Sequence, residues 1–180
     1  NWLQKFNDDF LSSWLKYRDI NHVIIISSYK EPTDVIEMAF SSLAAQVDID
    51  LNKLHVILAQ EERAGAENNQ ATMEYFQNKY KNTFGSLTFT EHPANLPGEI
   101  AGKHTNEAWA ARYFEKHNFS PKIPANRRLK IENCTLTSCD VDTIFNPKYF
   151  SALTYYFASS PDRYLKFWQS PIFWHHNINS

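Results

Sequence analysis

The fold class is decided by residues 22–28, which read HVIIISS. The apolar residues of this stretch, 23–26, follow one another without the alternation of a half-exposed strand, and two serines end the run. A continuous run of this kind is typical of a strand that is buried on both faces, as in a parallel sheet.

Predicted helices and strands alternate along the rest of the chain. The other predicted elements are, in order, a helix opened by Pro32 and running to residue 44, a strand over 54–58, a helix over 68–80, a strand over 86–90, a helix over 105–117, and a strand within 129–139. Alternation of this kind predicts an α/β fold with a mainly parallel sheet flanked by helices. Apolar residues at helical spacing over 2–17 predict an N-terminal amphipathic helix. We therefore expect a helix within 1–20 that packs on a domain formed by 21–180.

Bulk composition excludes some function classes. The chain has 180 residues with 18 basic and 20 acidic side chains, and the net charge of -2 argues against a general nucleic-acid binder. The sequence contains no run of about 18 apolar residues, the length that would predict a membrane span. Membrane contact is therefore expected only through regions outside this chain. Cys134 and Cys139 are five apart on a predicted strand, which puts them on opposite faces and argues against a disulfide between them. Reduced thiols fit a cytoplasmic protein.

Polar residues follow three of the predicted strands. They are Ser27 to Glu31, Ala59 to Glu62, and the pair Asp140 and Asp142. In parallel α/β sheets ligands bind beyond the carboxyl ends of the strands, so these clusters are expected to converge on one edge. Two carboxylates two residues apart on an extended backbone face the same way. The pair therefore fits a site for a hard divalent cation, which prefers oxygen ligands, although two acids at this spacing also occur by chance in surface loops.

Three other chemistries fit the sequence less well. The four glycines do not form a Gly-x-Gly-x-x-Gly motif after the first strand, and no phosphate-loop motif is present, which argues against nicotinamide-binding and kinase-like folds. Residues 140–143, DVDT, also match the start of haloacid-dehalogenase-type phosphatases, in which the first aspartate is a nucleophile. That reading is disfavoured because Asp162 is the one acidic residue after Asp142, and the later acidic pair of those enzymes has no counterpart.

The order of motifs resembles that of family 2 glycosyltransferases with the GT-A fold, especially the cellulose-synthase-like members. Five segments carry the resemblance: 22–32 is similar to the opening strand that usually ends Tyr-Asn-Glu, 41–46 to a Ser-Leu-x-x-Gln helix, 97–108 to a Gly-Lys-x-x-Asn-x-Ala block, 140–142 to the metal-binding Asp-x-Asp, and 168–173 to a Gln-x-Pro strand.

The resemblance implies a donor site for a nucleotide-sugar and a carbohydrate or lipid-linked acceptor. It implies that Asp142 binds Mn²⁺ or Mg²⁺ directly and that Asp140 orients the metal shell or the ribose. Lys103 supplies a positive charge for phosphate or for a base carbonyl. The residues expected around the base and ribose are Ser28, Tyr29, Glu31, Gln60 and Glu61. UDP is the expected nucleotide because it is the commonest donor nucleotide of the family.

The sequence departs from the family pattern in two places. The second strand of the family usually ends in aspartates that hold the base, whereas here it ends Ala-Gln-Glu-Glu over 59–62, with Gln60 or Glu61 as the substitute. The acidic catalytic base of the family follows the Gln-x-Pro strand and is expected beyond Ser180. His175 and His176 are substitutes that we disfavour, because histidines beside Trp174 more often pack or lie at the surface.

These departures leave two hypotheses open. The first is the donor-binding part of an inverting, metal-dependent glycosyltransferase, incomplete at its C-terminus and inactive alone, from a longer protein in the cytoplasm or at the cytoplasmic face of a membrane. The second is a non-catalytic binding or interaction domain that retains the GT-A fold.

Overall fold

A computed structural model of the chain describes residues 17–171. It contains four strands, β1 (Asn21–Ser27), β2 (Leu54–Glu61), β3 (Ser86–His92) and β4 (Cys134–Asp140). It also contains four α-helices, α1 (Thr33–Ala44), α2 (Ala66–Tyr80), α3 (Lys103–Asn118) and α4 (Tyr149–Ser159). Short 3₁₀ turns lie at Tyr17–Asp19, Leu51–Lys53, Glu62–Ala64, Ile131–Asn133 and Arg163–Leu165.

The sheet is parallel throughout, with the strand order β3-β2-β1-β4. In register, Ser27 at the end of β1 lies between Ala59 of β2 and Asp140 of β4. The predicted α/β fold with helices around a mainly parallel sheet is therefore confirmed. Along the chain, β1, β2 and β3 follow one another across the sheet, whereas β4 lies on the other side of β1. The strand order therefore reverses between β1 and β4.

Both faces of β1 are buried, as its sequence predicts. Ile24 and Ile26 pack with residues of α1, α2 and α4, whereas Val23 and Ile25 pack on the opposite face with Ala110 and Phe114 of α3. Because successive strand residues point to opposite faces, every position of the apolar run needs a hydrophobic side chain. The molecule is thus built in three layers, with the sheet between α3 and the other three helices.

The turn that leads into β3 requires a glycine. A Cβ atom on Gly85 would lie 2.1 Å from the backbone oxygen of Asn52, and the Gly85 N–H donates to the carbonyls of Leu51 (3.2 Å) and Leu54 (2.9 Å). Close backbone approach of this kind leaves no room for a side chain. It fixes the start of β3 beside the start of β2.

Several predicted elements differ from the structure. Strand β4 begins at Cys134 and not near 129, because Ile131–Asn133 forms a 3₁₀ turn. Helix α4 has no counterpart in the sequence prediction, since its aromatic and β-branched residues obscure a helical pattern. The expected Gln-x-Pro strand is wrong for its described part, because residues 168–171 have no regular secondary structure. The N-terminal helix, apart from Tyr17, and the histidines at 175 and 176 lie outside the described residues, and the boundary at residue 20 stays a prediction.

Candidate functional site

An open cleft of about 410 Å³ lies at the carboxyl ends of β1 and β4. This is the point where the strand order reverses, and ligands of open α/β sheets bind at such points. The cleft is lined by residues from three strand ends, the turns that follow them, α1 and α3: Ser27, Ser28, Tyr29, Glu31, Val35, Glu61, Lys103, Asn106, Asp140, Val141 and Asp142. The structure therefore brings together all of the predicted site residues except Gln60.

The aspartate pair lies at the end of β4. Asp140 is the last strand residue, whereas Asp142 lies in the turn that follows, closed by a hydrogen bond from the Thr143 N–H to the Asp140 carbonyl (3.1 Å). Both side chains are exposed and line the cleft. The expected geometry, with both carboxylates on one extended strand, is wrong in this detail, because it is the turn that aims Asp142 at the cleft.

Lys103 joins α3 to the end of β4. Its ammonium forms an ion pair with Oδ1 of Asp140 and lies 3.7 Å from Oε1 of Glu107. The Ser27 hydroxyl donates to the same oxygen of Glu107 (3.1 Å). Partial burial acts to lower the pKa of Lys103, but the hydrogen bond to Asp140 and the charges of Asp140 and Glu107 outweigh it, so the pKa lies above its ordinary value. Lys103 is therefore charged and held between two carboxylates.

The start of α3 places Lys103 at the cleft. The Gly102 N–H donates to Oγ1 of Thr105 (3.1 Å), and the same hydroxyl reaches the carbonyls of Gly102 (2.8 Å) and Ile100 (3.1 Å). These bonds fix the backbone that precedes the first helical residue, Lys103.

A tight turn follows β1 and presents Tyr29. Oε2 of Glu31 accepts hydrogen bonds from the Ser28 hydroxyl (3.0 Å) and from the Tyr29 N–H (2.7 Å). Glu31 therefore uses one carboxylate oxygen to hold the turn. The Tyr29 ring has two cations near it, with Lys30 Nζ and Arg63 Cζ each 5.2 Å from its centroid, so the ring is held by cation–π contacts at the rim of the cleft.

The end of β2 contributes Glu61 and not Gln60. Oε2 of Glu61 accepts from Arg63 through Nε (3.0 Å) and through a second, shorter contact from Nη2. The Glu61 side chain is 7% exposed and that of Arg63 39%. Since Arg63 also contacts Tyr29, the three side chains form one cluster, and the hydrogen bond that Arg63 donates to Glu61 raises the pKa of Arg63.

Gln60 points away from the cleft. It is 5% exposed, and its Nε2 donates to the carbonyl (3.2 Å) and Oδ1 (3.3 Å) of Asn69 in α2. Neighbouring strand residues face opposite ways, so Gln60 and Glu61 do not share a face. Gln60 therefore anchors α2 to the sheet, and Glu61 is the substitute that lies in the cleft.

Asn106 is a lining residue to which sequence reasoning assigned no role. It is 1% exposed, and its Nδ2 donates to the Ala59 carbonyl (2.8 Å), which orients the amide. Its Oδ1 is buried and has no partner among the described residues. A buried polar atom without a partner is costly, so this oxygen stands out among the polar atoms of the residues that line the cleft. Its signal in the sequence is the Asn of the Gly-Lys-x-x-Asn block. Arg63, which follows a strand end inside a 3₁₀ turn, has no comparable signal.

The donor set of the cleft fits a divalent cation only in part. Within residues 17–171, no group of three or more His, Cys, Asp or Glu side chains is placed to hold a metal ion. Asp140 and Asp142 offer two hard oxygen ligands, which suits a cation that completes its shell with phosphate oxygens and water. The cysteines take no part, since both are free thiols and burial raises the pKa of each to about 12.

Comparison with known proteins shows a structural similarity without a sequence match. No protein-family model matches the chain, and no curated protein matches it. A solved structure of S. aureus TarS 1-349, a staphylococcal glycosyltransferase, is similar over 77% of this chain, with 14% identity and a TM-score of 0.49. The chain spans 32% of that TarS chain. At this identity and TM-score we transfer neither residue roles nor an activity from it.

None of the helices within 17–171 has both the length and the apolar character needed to cross a membrane.

Proposed function

We propose that this chain is the donor-binding part of a metal-dependent glycosyltransferase that uses a nucleotide-diphospho-sugar, with a UDP-sugar as donor. The observation that carries the proposal is the meeting of Tyr29, Glu61, Lys103, Asp140 and Asp142 in one cleft at the reversal of strand order. A nucleotide-sugar has a flat base, ribose hydroxyls and a pyrophosphate, and the cleft offers a partner to each. The order of the sequence motifs, which resembles that of family 2 glycosyltransferases, supports the same conclusion.

The base and ribose are assigned to the side of the cleft formed by β1 and β2. Tyr29 offers an aromatic face or edge, and Glu61 offers a carboxylate oxygen that Arg63 does not contact. The orphaned Oδ1 of Asn106 accepts a hydroxyl or amide hydrogen from the same ligand. A base N–H and ribose O–H groups are donors, so they match this set of acceptors.

The pyrophosphate is assigned to the side formed by α3 and β4. Lys103 supplies the positive charge, and Asp140 and Asp142 are the residues that would hold Mn²⁺ or Mg²⁺. When bound, the cation neutralises the nucleoside diphosphate as it leaves.

Transfer of the sugar needs a catalytic group in addition to the donor site. An inverting transfer needs a base that deprotonates the acceptor hydroxyl. We assign that base, and the site for a carbohydrate or lipid-linked acceptor, to parts of the protein outside this cleft, and the protein itself to the cytoplasm or the cytoplasmic face of a membrane. The cleft is then the donor-binding part of that enzyme.

The second candidate function is a non-catalytic domain that retains the fold. It is favoured by one observation: both Glu61 and Asp140 are already paired with basic side chains, Arg63 and Lys103. A domain of this kind keeps the cleft without binding a nucleotide in a metal-dependent way.

Thermal unfolding with nucleotides separates the two functions. The chain is heated with UDP, GDP, ADP or CDP, each with and without Mn²⁺. A ligand at about 100 times its dissociation constant stabilises by roughly 2.7 kcal/mol, which for this size raises the melting temperature by about 5–10 °C. We expect that shift with UDP and Mn²⁺ together.

The control variants test whether the shift arises in this cleft. Asp142→Ala is expected to abolish it, whereas Asp162→Ala, which removes an exposed carboxylate paired with Lys166 outside the cleft, keeps it. A Mn²⁺-independent shift, or equal shifts in the two variants, contradicts the donor-site proposal and favours the non-catalytic domain.

A further inference from the structure

The Lys103–Asp140 ion pair lies where the proposed metal and the proposed phosphate meet. Lys103 is the one basic side chain among the eleven that line the cleft, which also include Glu31, Glu61, Asp140 and Asp142. Its ammonium contacts the same carboxylate that would ligate the cation. A divalent cation and the ammonium therefore compete for Asp140.

Glu107 gives the ammonium a second partner. Its Oε1 is 3.7 Å from Lys103 Nζ, one helical turn along α3, and the Ser27 hydroxyl donates to that oxygen at 3.1 Å. The Glu107 side chain is largely buried, whereas those of Lys103 and Asp140 are about half exposed or more. Lys103 can thus leave Asp140 without leaving the cleft, since Glu107 keeps it beside the phosphate side.

From this geometry we propose that Lys103 is an internal counter-cation for Asp140, which yields that carboxylate to the metal when a nucleoside diphosphate takes up the ammonium. The inference rests on the donor site proposed above and adds its regulation. Without nucleotide, Mn²⁺ has to displace Lys103 and finds Asp142 as its other carboxylate. With nucleotide, the pyrophosphate binds the released ammonium and offers further oxygens to the metal. Metal and nucleotide therefore bind cooperatively, and each raises the affinity for the other by the same factor.

Removing the ammonium separates the two halves of this coupling. Lys103→Met keeps the length of the side chain without its charge. We expect it to bind Mn²⁺ alone about 10-fold tighter than the wild-type chain, and UDP at saturating Mn²⁺ about 10-fold more weakly. If Lys103 only bound phosphate, its loss would weaken UDP binding without tightening Mn²⁺ binding. Changes of opposite sign in the two affinities are therefore specific to the counter-cation role.

Matched variants separate contact from the general field of a positive charge. Lys30→Met removes a cation that lies beside Tyr29, is exposed and is not in contact with Asp140, so its Mn²⁺ affinity stays within about twofold of wild type. Lys103→Arg retains the charge and the weak binding of Mn²⁺. In an Asp140→Asn background, Lys103→Met has no further effect on Mn²⁺, because the carboxylate for which the two cations compete is gone.

Mn²⁺ binding is measured with the whole 180-residue chain, from the loss of the free-ion EPR signal, and UDP binding by calorimetry. The proposal is overturned if Lys103→Met binds Mn²⁺ no tighter than wild type, including the case in which neither binds it alone, or if Lys30→Met gains as much. If the wild type also shows no Mn²⁺-dependent UDP binding, the donor site itself has failed. If Lys103→Met fails in this way but the wild type still binds UDP with Mn²⁺ and Asp142→Ala does not, the donor site stands. In that case only the counter-cation role of Lys103 has failed.

Discussion

Acid should unfold this domain through two buried histidines near the amino ends of the strands. His22 is fully buried, with Nδ1 2.7 Å from Oγ1 of Thr135 and Nε2 2.8 Å from Oγ1 of Thr154. His55 has Nδ1 2.9 Å from Oγ of Ser86 and Nε2 3.2 Å from Oδ1 of Asn21. Hydroxyls and an amide satisfy both rings as neutral imidazoles, and no carboxylate is among these partners.

Burial lowers the pKa of both histidines, and neighbouring positive charge adds to it. The pKa of His22 falls to about 3, with a further contribution from His55, and that of His55 falls to about 4, with a contribution from Lys53. In the unfolded chain a histidine titrates near 6.5, so between these values the unfolded state binds more protons. Stability is therefore fully present above pH 6.5 and is lost as the pH falls below it.

The size of the loss follows from the two pKa shifts. At pH 5 each histidine favours the unfolded state by about 2 kcal/mol relative to pH 8, so the pair costs about 4 kcal/mol. That is a large part of the roughly 5–15 kcal/mol that stabilises a domain. Urea unfolding followed by tryptophan fluorescence at pH 8, 6 and 5 measures the loss.

Variants isolate the part due to each ring. His22→Gln is less stable than wild type at pH 8, but the difference should shrink by about 2 kcal/mol at pH 5, because the variant no longer takes up that proton on unfolding. Phe76→Leu, a destabilising change in the core where α2 packs against Phe40 of α1, should lower stability equally at all three pH values. A pH-independent difference for both His22→Gln and His55→Gln would refute the reasoning.

Three further predictions concern packing and the cleft. Gln46→Ala should cost about 2–4 kcal/mol in urea unfolding, because the Asn146 carbonyl and the Phe150 N–H lose their buried partner; the exposed Ser41→Ala is the control, and an equal effect of the two would count against it. Gly85→Ala should lower the free energy of unfolding by about 2–3 kcal/mol, since the new Cβ meets a backbone oxygen. Gly98→Ala, which has open space but a φ of +80°, should lower it by only about 1 kcal/mol. A larger loss for Gly98→Ala would show that the backbone around Gly85 relaxes to admit a side chain. Arg63→Met should weaken UDP binding, because Glu61 loses its charged partner and Tyr29 loses a cation beside its ring. Calorimetry checks this against Lys166→Met, which removes a cation outside the cleft, and unchanged UDP affinity would exclude Arg63 from the site.

The sequence predicts the layers of the fold because burial on both faces leaves a visible pattern. The apolar run of β1 and the alternation of helices and strands suffice for the parallel sheet. Helix α4 escapes prediction because it packs through aromatic residues such as Phe150 and Phe157, which are favoured in strands as much as in helices. What the sequence lacks there is the tertiary packing that overrides local preference.

The site is predicted where it follows the carboxyl ends of the strands. Tyr29, Glu61 and Asp140 lie at or just after strand ends, and the sheet geometry alone brings them together. Successive residues of a strand point to opposite faces, so Gln60 and its neighbour Glu61 could not both face the cleft. Applying this alternation to the sequence would have excluded Gln60 from the site. The contacts of Arg63 depend on a 3₁₀ turn and on the ring of Tyr29, and no spacing rule in a single sequence encodes either.

The strand order also has a consequence for synthesis on the ribosome. Strand β4, which carries Asp140 and covers the outer edge of β1, is the last of the four to emerge. Until residue 140 leaves the exit tunnel, β1, with its four consecutive apolar residues, is an open edge with unpaired N–H and C=O groups. A nascent chain at that stage has neither the acid pair nor a protected sheet, so nucleotide has no complete site through which to rescue it. The step that covers this strand edge is therefore also the step that completes the proposed nucleotide site.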